Sequence, residues 1–375
     1  MPPLWNESRL TAKLGIDYPV IQGPLGGLSS QELTAAVSNF GGLGSFGAHG
    51  LTPKAIKEAI AEIRSLTSKP FAMNLWVSME DEGARTSDEN AFNRSLAPLI
   101  THLGASGAPR PTFKPYSPAR FEDQARVLLD ANVPVFSFIF GIPPREILEE
   151  CRAKRIVTIG TATTPEEGAA LQEAGVDAIV ACGFEAGGHR GSFLRSAEDS
   201  LTGTLSLVPQ IADMADVPVI AAGGIADARG VIAALALGAE AVQIGTAFLG
   251  CEESGASLLH RQALRGKKAG HTALTKGFTG RLARGIHNRL IEELNKPGTE
   301  ILPYPLQRGV VRSLSIAAEA AGRTDLLPLW AGQSASLSAC TNVSAFLTSL
   351  VKEASEIAEP IIQWGASRRH KQILK

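Results

Sequence analysis

Short apolar runs alternate with longer segments of helical periodicity over about the first 250 residues of the chain. Most of these runs are apolar throughout, which is typical of parallel strands that are covered on both faces of a sheet. The pattern predicts eight strands. They lie at residues 19–22, 43–46, 71–75, 135–138, 156–159, 178–182, 219–222 and 241–244.

The segments between the predicted strands carry the start and stop signals of helices. Ser29 and Glu32 have the spacing of a capping box, and the pair Thr164–Pro165 supplies an N-cap followed by proline in the first helical position. Asp227 opens an alanine-rich segment. Eight strands with crossover helices predict an α/β fold of the (β/α)8 TIM-barrel type, with a doubly wound open sheet as the alternative.

Two stretches depart from this repeat. Residues 78–120 are rich in Ser, Pro and charge, and they predict a long loop or small excursion after the third strand. From about residue 254 the strand signal disappears, and helical patterns follow at 258–264, 285–295, 310–321 and 344–357. We therefore expect a barrel domain over 1–253 and a helical lobe over 254–375 that packs on the barrel mouth.

Composition and charge narrow the class of protein. The 36 Lys and Arg residues are balanced by 37 Asp and Glu residues, so the basic excess of a nucleic-acid-binding protein is missing. The chain lacks a signal-peptide pattern and any apolar run of the roughly 18 residues that span a membrane. The four cysteines form no CxxC pair, and the histidines show no metal-ligand spacing. We expect a cytoplasmic monomer or homodimer that binds a small molecule, with no metal, nucleic acid or membrane partner.

The glycine-rich segments after the last two predicted strands are candidates for a phosphate site. Gly223 and Gly224 follow the seventh strand, and Gly245 follows the eighth. Backbone N–H groups at such glycines can approach a phosphate closely, and the helices that follow add a favourable dipole. In a TIM barrel these two loops are the usual phosphate site, although each could also be a tight turn without a ligand.

The first and third strands also end in unusual residues. Gln22, Gly23 and Pro24 begin a Gly/Pro-rich turn that either lays backbone amides against a flat ring or simply connects a strand to a helix. Asn74 ends an apolar strand, so its amide needs a polar partner. That partner is either a ligand or the backbone of a neighbouring loop.

The sixth strand leads into Cys182 and then into a loop with the sequence GFEAGGHRG at 183–191. Gly187 and Gly188 give this loop conformational freedom, so the loop that carries His189 can adopt a shape that fits a ligand at the barrel mouth. Histidine suits proton transfer near neutral pH, which makes His189 the candidate catalytic residue and a plain surface histidine the alternative. Cys182 is expected to be a small apolar residue near the ligand and not a nucleophile. Glu185 either holds the loop through a backbone hydrogen bond or is solvated, and Arg190 is expected at the surface.

These segments resemble the nitronate monooxygenases, formerly called 2-nitropropane dioxygenases. The resemblance rests on 22–24, on GFEAGGHRG, on VIAAGGIAD at 219–227 and on QIGTAF at 243–248, and it extends to 276–288 and 330–334. It implies a TIM barrel with non-covalent FMN and His189 as the catalytic histidine. The implied FMN positions, together with the glycines of the two loops above, are Gln22, Gly23, Pro24, Asn74, Cys182, Gly187, Gly188, Gly223, Gly224, Gln243, Ile244, Gly245, Thr246, Gly332, Gln333 and Ser334. The family often has Gln where this chain has Cys182.

The chemistry that the resemblance implies is oxidation of an alkyl nitronate by FMN and O2, giving a carbonyl compound and nitrite. A protonated His189 would hold the negative charge of the nitronate, whereas a neutral His189 would remove the α-proton of a nitroalkane. Flavin-dependent enoyl reductases and NADH:quinone reductases look similar, so reduction of an enoyl thioester or a quinone by NAD(P)H is the alternative activity. A non-catalytic flavin-binding protein is the alternative from another class.

Overall fold

The computed structural model describes residues 5–78, 81, 89–91, 93–95, 119–337 and 341–373, with side chains up to residue 360. Eleven strands lie within these residues. They are β1 Val20–Gln22, β2 Gly44–Gly47, β3 Phe71–Trp76, β4 Val135–Ile139, β5 Val157–Ala162, β6 Ala178–Cys182, β7 Gly188–His189, β8 Val219–Ala222, β9 Ala241–Ile244, β10 Thr272–Thr275 and β11 Ala283–Ile286.

The helices alternate with the strands in the first two thirds of the chain and dominate the last third. Those in the described residues are α1 Arg9–Leu14, α2 Gln31–Phe40, α3 Pro53–Leu66, α4 Phe121–Asp130, α5 Arg145–Ala153, α6 Pro165–Glu173, α7 Thr204–Met214, α8 Ala228–Ala236, α9 Thr246–Leu249, α10 Leu258–Arg265, α11 Arg289–Leu294, α12 Leu306–Ala320 and α13 Val343–Ile373. Two short 3-10 turns, Thr324–Leu326 and Ala335–Leu337, complete the list. No helix in the described part of the chain is long and apolar enough to cross a bilayer.

Eight of the strands form one parallel sheet that closes on itself. The order around the sheet is β1-β9-β8-β6-β5-β4-β3-β2. A parallel bridge between Ile21 and Leu43 joins the two ends, and the Gln22 N–H donates to the Leu43 carbonyl at 2.9 Å. The predicted TIM barrel is therefore confirmed, and the open doubly wound sheet is wrong. The predicted boundaries of β6, β8 and β9 match those observed.

The apolar side chains of these strands form two layers, one inside the barrel and one outside it, which explains why the apolar runs fold as barrel strands. Side chains of one parity, such as Ile21, Val135 and Ile220, fill the inside of the barrel, and those of the other parity pack under the outer helices. Helix α1, which we did not predict, places Leu10 and Leu14 in the inner cluster. The barrel interior is thus a packed core, and any ligand site lies at its ends.

The helix starts follow the predicted caps with one correction. Ser30, not Ser29, caps α2, since the Ser30 side chain accepts from the Leu33 N–H. Ser29 instead accepts from the Leu25 and Gly47 N–H groups at 3.1 and 3.2 Å, so it joins the loops that follow β1 and β2. The Thr164 and Asp227 caps are present as predicted.

The region after residue 254 contains strands as well as helices, contrary to our prediction. Strands β10 and β11 form an antiparallel hairpin, and β11 also pairs with β7 from the barrel. Strand β11 occupies the start of the segment that we expected to be helical from 285. A separate apolar cluster, which includes Phe278, Leu290 and Leu314, holds this region together. We call residues 255–337 the lobe.

Helix α13 packs on the outside of the barrel, whereas we expected the region that contains it to pack on the barrel mouth. Its residues Phe346, Leu347 and Leu350 belong to the apolar layer on the outside of the barrel, and the helix packs against α8 and α2. The carboxyl end of the described chain therefore lies on the barrel wall. Most of the predicted excursion at 78–120 lies outside the described residues, but Ser78 and Asp81 are described and contact Arg281 of the lobe.

Candidate active site

A cavity of about 700 Å3 lies at the carboxyl ends of the barrel strands, under the lobe. Its lining comes from the loops after most barrel strands and from lobe residues such as Arg308, Arg312 and Trp330. Among the described residues that line it there are two arginines and two histidines but no Asp or Glu. The cavity is therefore basic, and an anionic ligand is favoured inside it.

The glycines after β8 and β9 form a bare patch of backbone on the cavity wall. Gly223 and Gly224 have φ angles of 103° and 72°, which L side chains rarely adopt. Helix α9 begins at Thr246, and no side chain caps its N-terminus, whereas Asp227 caps α8. The first N–H groups of α9 have no partner within the helix and are available to a ligand. We call Gly223, Gly224, Gly245 and Thr246 the glycine cradle.

A segment of the lobe reaches the glycine cradle. The Gly332 N–H donates to the Thr246 hydroxyl at 2.9 Å, and the Ser334 hydroxyl donates to the Gly224 carbonyl. A Cβ on Gly187 would lie 2.5 Å from the backbone of both Ala331 and Gly332. The loop after β6 and the lobe segment therefore touch through their backbones, and only glycine fits at position 187.

The structure brings the predicted cofactor residues together with three exceptions. Gln22 is fully buried, and its side-chain amide bonds to the Ser45 backbone, at 2.7 Å to the carbonyl. Ile244 is also fully buried, and Gln333 is exposed. The others line the cavity: Gly23, Pro24, Asn74, Cys182, Gly187, Gly188, Gly223, Gly224, Gln243, Gly245, Thr246, Gly332 and Ser334.

The hydrogen-bond partner of Asn74 differs from those that we predicted, whereas the surroundings of Cys182 agree with our expectation. The Asn74 amide donates to the Ser137 hydroxyl at 3.0 Å, so its partner is a side chain on the next strand, an option that we did not consider. Burial raises the pKa of the Cys182 thiol. Cys182 is therefore a neutral thiol at neutral pH, which supports the expectation that it is not a nucleophile.

His189 lies in the cavity lining and not on the outer surface. Its backbone is part of β7, which pairs with Ala283 in β11. Its ring contacts the edge of Trp76 at 4.8 Å between ring centroids and a face of Trp330 at 5.2 Å. Its Nε2 lies 2.7 Å from the Thr279 hydroxyl. Residues from both the barrel and the lobe therefore fix this ring.

The protonation state of His189 follows from these surroundings. Burial, and then the charges of Arg308 and Arg281, lower the pKa of His189 to about 3. Both the loss of hydration and the like charges disfavour the imidazolium. The side chain is consequently neutral at neutral pH, so in the free protein it does not offer the positive charge needed to anchor an anion.

Two other residues of the His189 loop have structural roles. Arg190 is buried, contrary to our expectation of a surface residue, and donates to the carbonyls of Thr163, Cys182 and Ser200. The Glu185 carboxylate accepts from the Thr204 N–H and hydroxyl at 3.0 Å. Of the two options for Glu185, the backbone hydrogen bond is therefore the one observed.

Sequence reasoning missed several residues around the cavity. Arg308 donates to the Tyr304 hydroxyl at 3.1 Å and has no carboxylate partner within the described residues. His49 is 3% exposed and stacks on Trp76 at 3.9 Å between ring centroids. Burial, then the charges of Arg308 and Arg281, holds the pKa of His49 well below its usual range. The position of His49 just after a predicted strand was a usable signal, whereas nothing in the sequence near Arg308 marks it.

A closed parallel barrel with a basic, aromatic-lined cavity at the carboxyl ends of its strands has the architecture of a (β/α)8-barrel enzyme. Residues 7–353 match the family model described as nitronate monooxygenase. A probable nitronate monooxygenase of Staphylococcus aureus (strain Newman) is 41% identical over 357 residues, which are 95% of this chain and 99% of that protein.

Solved structures agree with this relationship. Nitroalkane oxidase from Streptomyces ansochromogenes is 35% identical, with a TM-score of 0.83 over 94% of this chain and 100% of that one. FabK from Thermotoga maritima is 27% identical, with a TM-score of 0.74 over 96% and 99% of the two chains. The chain belongs to the nitronate monooxygenase family, and it is an oxidoreductase.

Proposed function

We propose that this protein oxidises alkyl nitronates with O2, using bound FMN, and releases a carbonyl compound and nitrite. One observation carries the proposal: a neutral histidine, His189, and a cation that has no carboxylate partner among the described residues, Arg308, line the same cavity as the glycine cradle. A nitronate is an anion with electron density on carbon. Such a substrate needs a positive charge for binding and a redox cofactor beside it.

The glycine cradle fits the phosphate of FMN. Gly224, Gly245 and Thr246 would hold the phosphate through backbone N–H groups, since the N-terminus of α9 has no side-chain cap. Gly23, Pro24 and Asn74 line the same cavity and would contact the flavin ring. Bound there, FMN would supply the electron transfer and the reactivity toward O2.

Arg308 is the residue that we propose to hold the nitronate charge. Within the described residues its guanidinium makes one hydrogen bond, to Tyr304, which leaves further N–H donors for a ligand, and a charged hydrogen bond to an anion is worth about 1.5–3 kcal/mol. His189 would then act on neutral nitroalkanes as the base that removes the α-proton. Trp76 and Trp330 pack against the His189 ring and would hold it in place for this step.

The flavin spectrum tests the cofactor and the activity together. The purified protein should be yellow, and anaerobic mixing with propionate 3-nitronate should bleach the flavin absorbance, whereas NADH should not. In air, the same substrate should release nitrite. Fast bleaching by NADH without a response to the nitronate would favour NAD(P)H-dependent reduction of an enoyl thioester or quinone. A colourless protein that does not take up FMN would contradict the flavin proposal.

A further inference from the structure

The His189 ring has one hydrogen-bond partner within the described residues, and that partner comes from the lobe. Its Nε2 and the Thr279 Oγ1 are 2.7 Å apart, which is a short distance for a bond between N and O. Thr279 is 3% exposed and lies in the turn between β10 and β11. Because Thr279 is buried, its hydroxyl has no bulk water as an alternative partner.

The Thr279 hydroxyl has a second possible acceptor. The Arg281 N–H donates to Oγ1 at 3.4 Å, and the Arg281 carbonyl lies 3.5 Å from the same oxygen. The hydroxyl hydrogen can thus point to that carbonyl and leave an oxygen lone pair for the imidazole. In that arrangement Nε2 of His189 carries the hydrogen and donates it to Thr279.

The tautomer decides whether His189 can act as a base. A neutral imidazole has one N–H and one lone pair, and the hydrogen bond at one nitrogen sets the state of the other. With the hydrogen on Nε2, the lone pair is on Nδ1, which has no partner among the described residues. With the opposite tautomer, neither nitrogen could accept a proton from a ligand in the cavity.

We propose that Thr279 is a positioning residue that keeps the hydrogen of His189 on Nε2 and so leaves Nδ1 as the base for neutral nitroalkanes. The inference rests on the proposed function and adds the residue that fixes the tautomer of its base. In the step, the Cα–H bond of the nitroalkane breaks and the proton moves to Nδ1. The electron pair of that bond moves onto the nitro group, which gives the nitronate, and no oxidant is consumed.

The charged groups around His189 disfavour its imidazolium form, and its hydrogen-bond partner Thr279 carries no charge that would offset them. Arg281 and Arg308 both disfavour the imidazolium, and His49 is itself held neutral by burial and the same arginines. Thr279 can accept the Nε2 hydrogen but brings no negative charge, unlike the carboxylate of a catalytic triad. A nitronate is the product of this proton transfer, so its oxidation needs neither the base nor Thr279.

The test compares nitroethane with its nitronate in three variants of the FMN-loaded enzyme. Thr279→Val keeps the shape but removes the hydroxyl, and we expect kcat/KM for nitroethane to fall about 100-fold, within the range of general-base catalysis. For ethylnitronate, kcat/KM should stay within about 3-fold. Thr279→Ser should keep most of the activity on both substrates. Thr275→Val is the matched control, because Thr275 is a buried threonine at the end of β10 that does not contact His189.

Each outcome bears on the inference. An equal loss on both substrates in Thr279→Val, or full activity on nitroethane, would overturn it. A wild-type enzyme that oxidises ethylnitronate but not nitroethane would overturn it and leave the proposed function standing, whereas failure on both substrates would remove both. The 15N NMR shifts of the histidine ring nitrogens in the wild-type protein, with His189→Asn used for assignment, give a readout that needs no Thr279 variant. Hydrogen on Nδ1 of His189 would contradict the inference.

Discussion

The two sides of the cavity are built from different parts of the polypeptide. On the barrel side, the glycine cradle presents backbone, and the neighbouring Gly187 and Gly23 leave no room for side chains. On the lobe side, Arg308, Thr279 and Trp330 present side chains. Binding through backbone depends on the shape of the chain, whereas binding through side chains depends on residue identity. The barrel side therefore suits a constant ligand such as a cofactor, and the lobe side suits the discrimination of substrates.

His189 connects the two sides, so its replacement should separate chemistry from cofactor binding. His189→Asn removes the proposed base, and we expect kcat/KM for nitroethane to fall by about 10²–10⁴-fold with FMN still bound at one per chain. His271→Asn, outside the cavity, is the control. Because the pKa of His189 is about 3, the wild-type rate should not fall between pH 7 and 5 through protonation of this residue. Full activity of His189→Asn on nitroethane would show that another group is the base.

Replacing Arg308 changes the charge of the lobe side without touching the glycine cradle. In Arg308→Met, loss of a charged hydrogen bond should raise KM for a nitronate by about 10- to 100-fold. The same change removes a positive charge that lowers the pKa of His189, so that pKa should rise. The acid limb of the nitroethane pH profile should then move to higher pH. An unchanged KM together with an unchanged profile would place the anion elsewhere.

Gly187→Ala tests the barrel side. The added Cβ would lie 2.5 Å from the backbone of the lobe segment at Ala331 and Gly332, so that segment must move. Overpacking of this kind costs about 1–3 kcal/mol, and we expect FMN to bind about 5- to 100-fold more weakly by fluorescence titration. Gly309→Ala is the control, since its Cβ would meet no neighbour within 4 Å. Equal FMN affinity in both variants would contradict the role of this contact.

The difference between the barrel side and the lobe side of the cavity also explains which features the sequence predicted. The barrel strands are local apolar runs, and β6, β8 and β9 were placed to the residue because glycines follow them or a sharp change in pattern bounds them. The glycine cradle was visible for the same reason. These features depend on neighbours within a few positions along the chain, which is the range over which periodicity carries information.

The parts that the sequence did not reveal depend on distant partners. Strand β7 has two residues, and it exists because β11, almost a hundred positions later, pairs with it. Arg190 is buried because it donates to three carbonyls from separate segments of the chain. No local sequence pattern indicates that these carbonyls come together. Thr279 and Arg308 became visible as site residues once the lobe was placed over the barrel.

The pairing of β7 with β11 has a consequence for biosynthesis. The last barrel strand, β9, ends at Ile244, so a ribosome releases every barrel strand before it releases β11. At that stage the loop with His189 has neither its partner strand nor Thr279. The proposed base thus reaches its folded surroundings late in synthesis, and a chain that stops after the barrel would lack the contacts of His189 with β11 and Thr279 even if its barrel were complete.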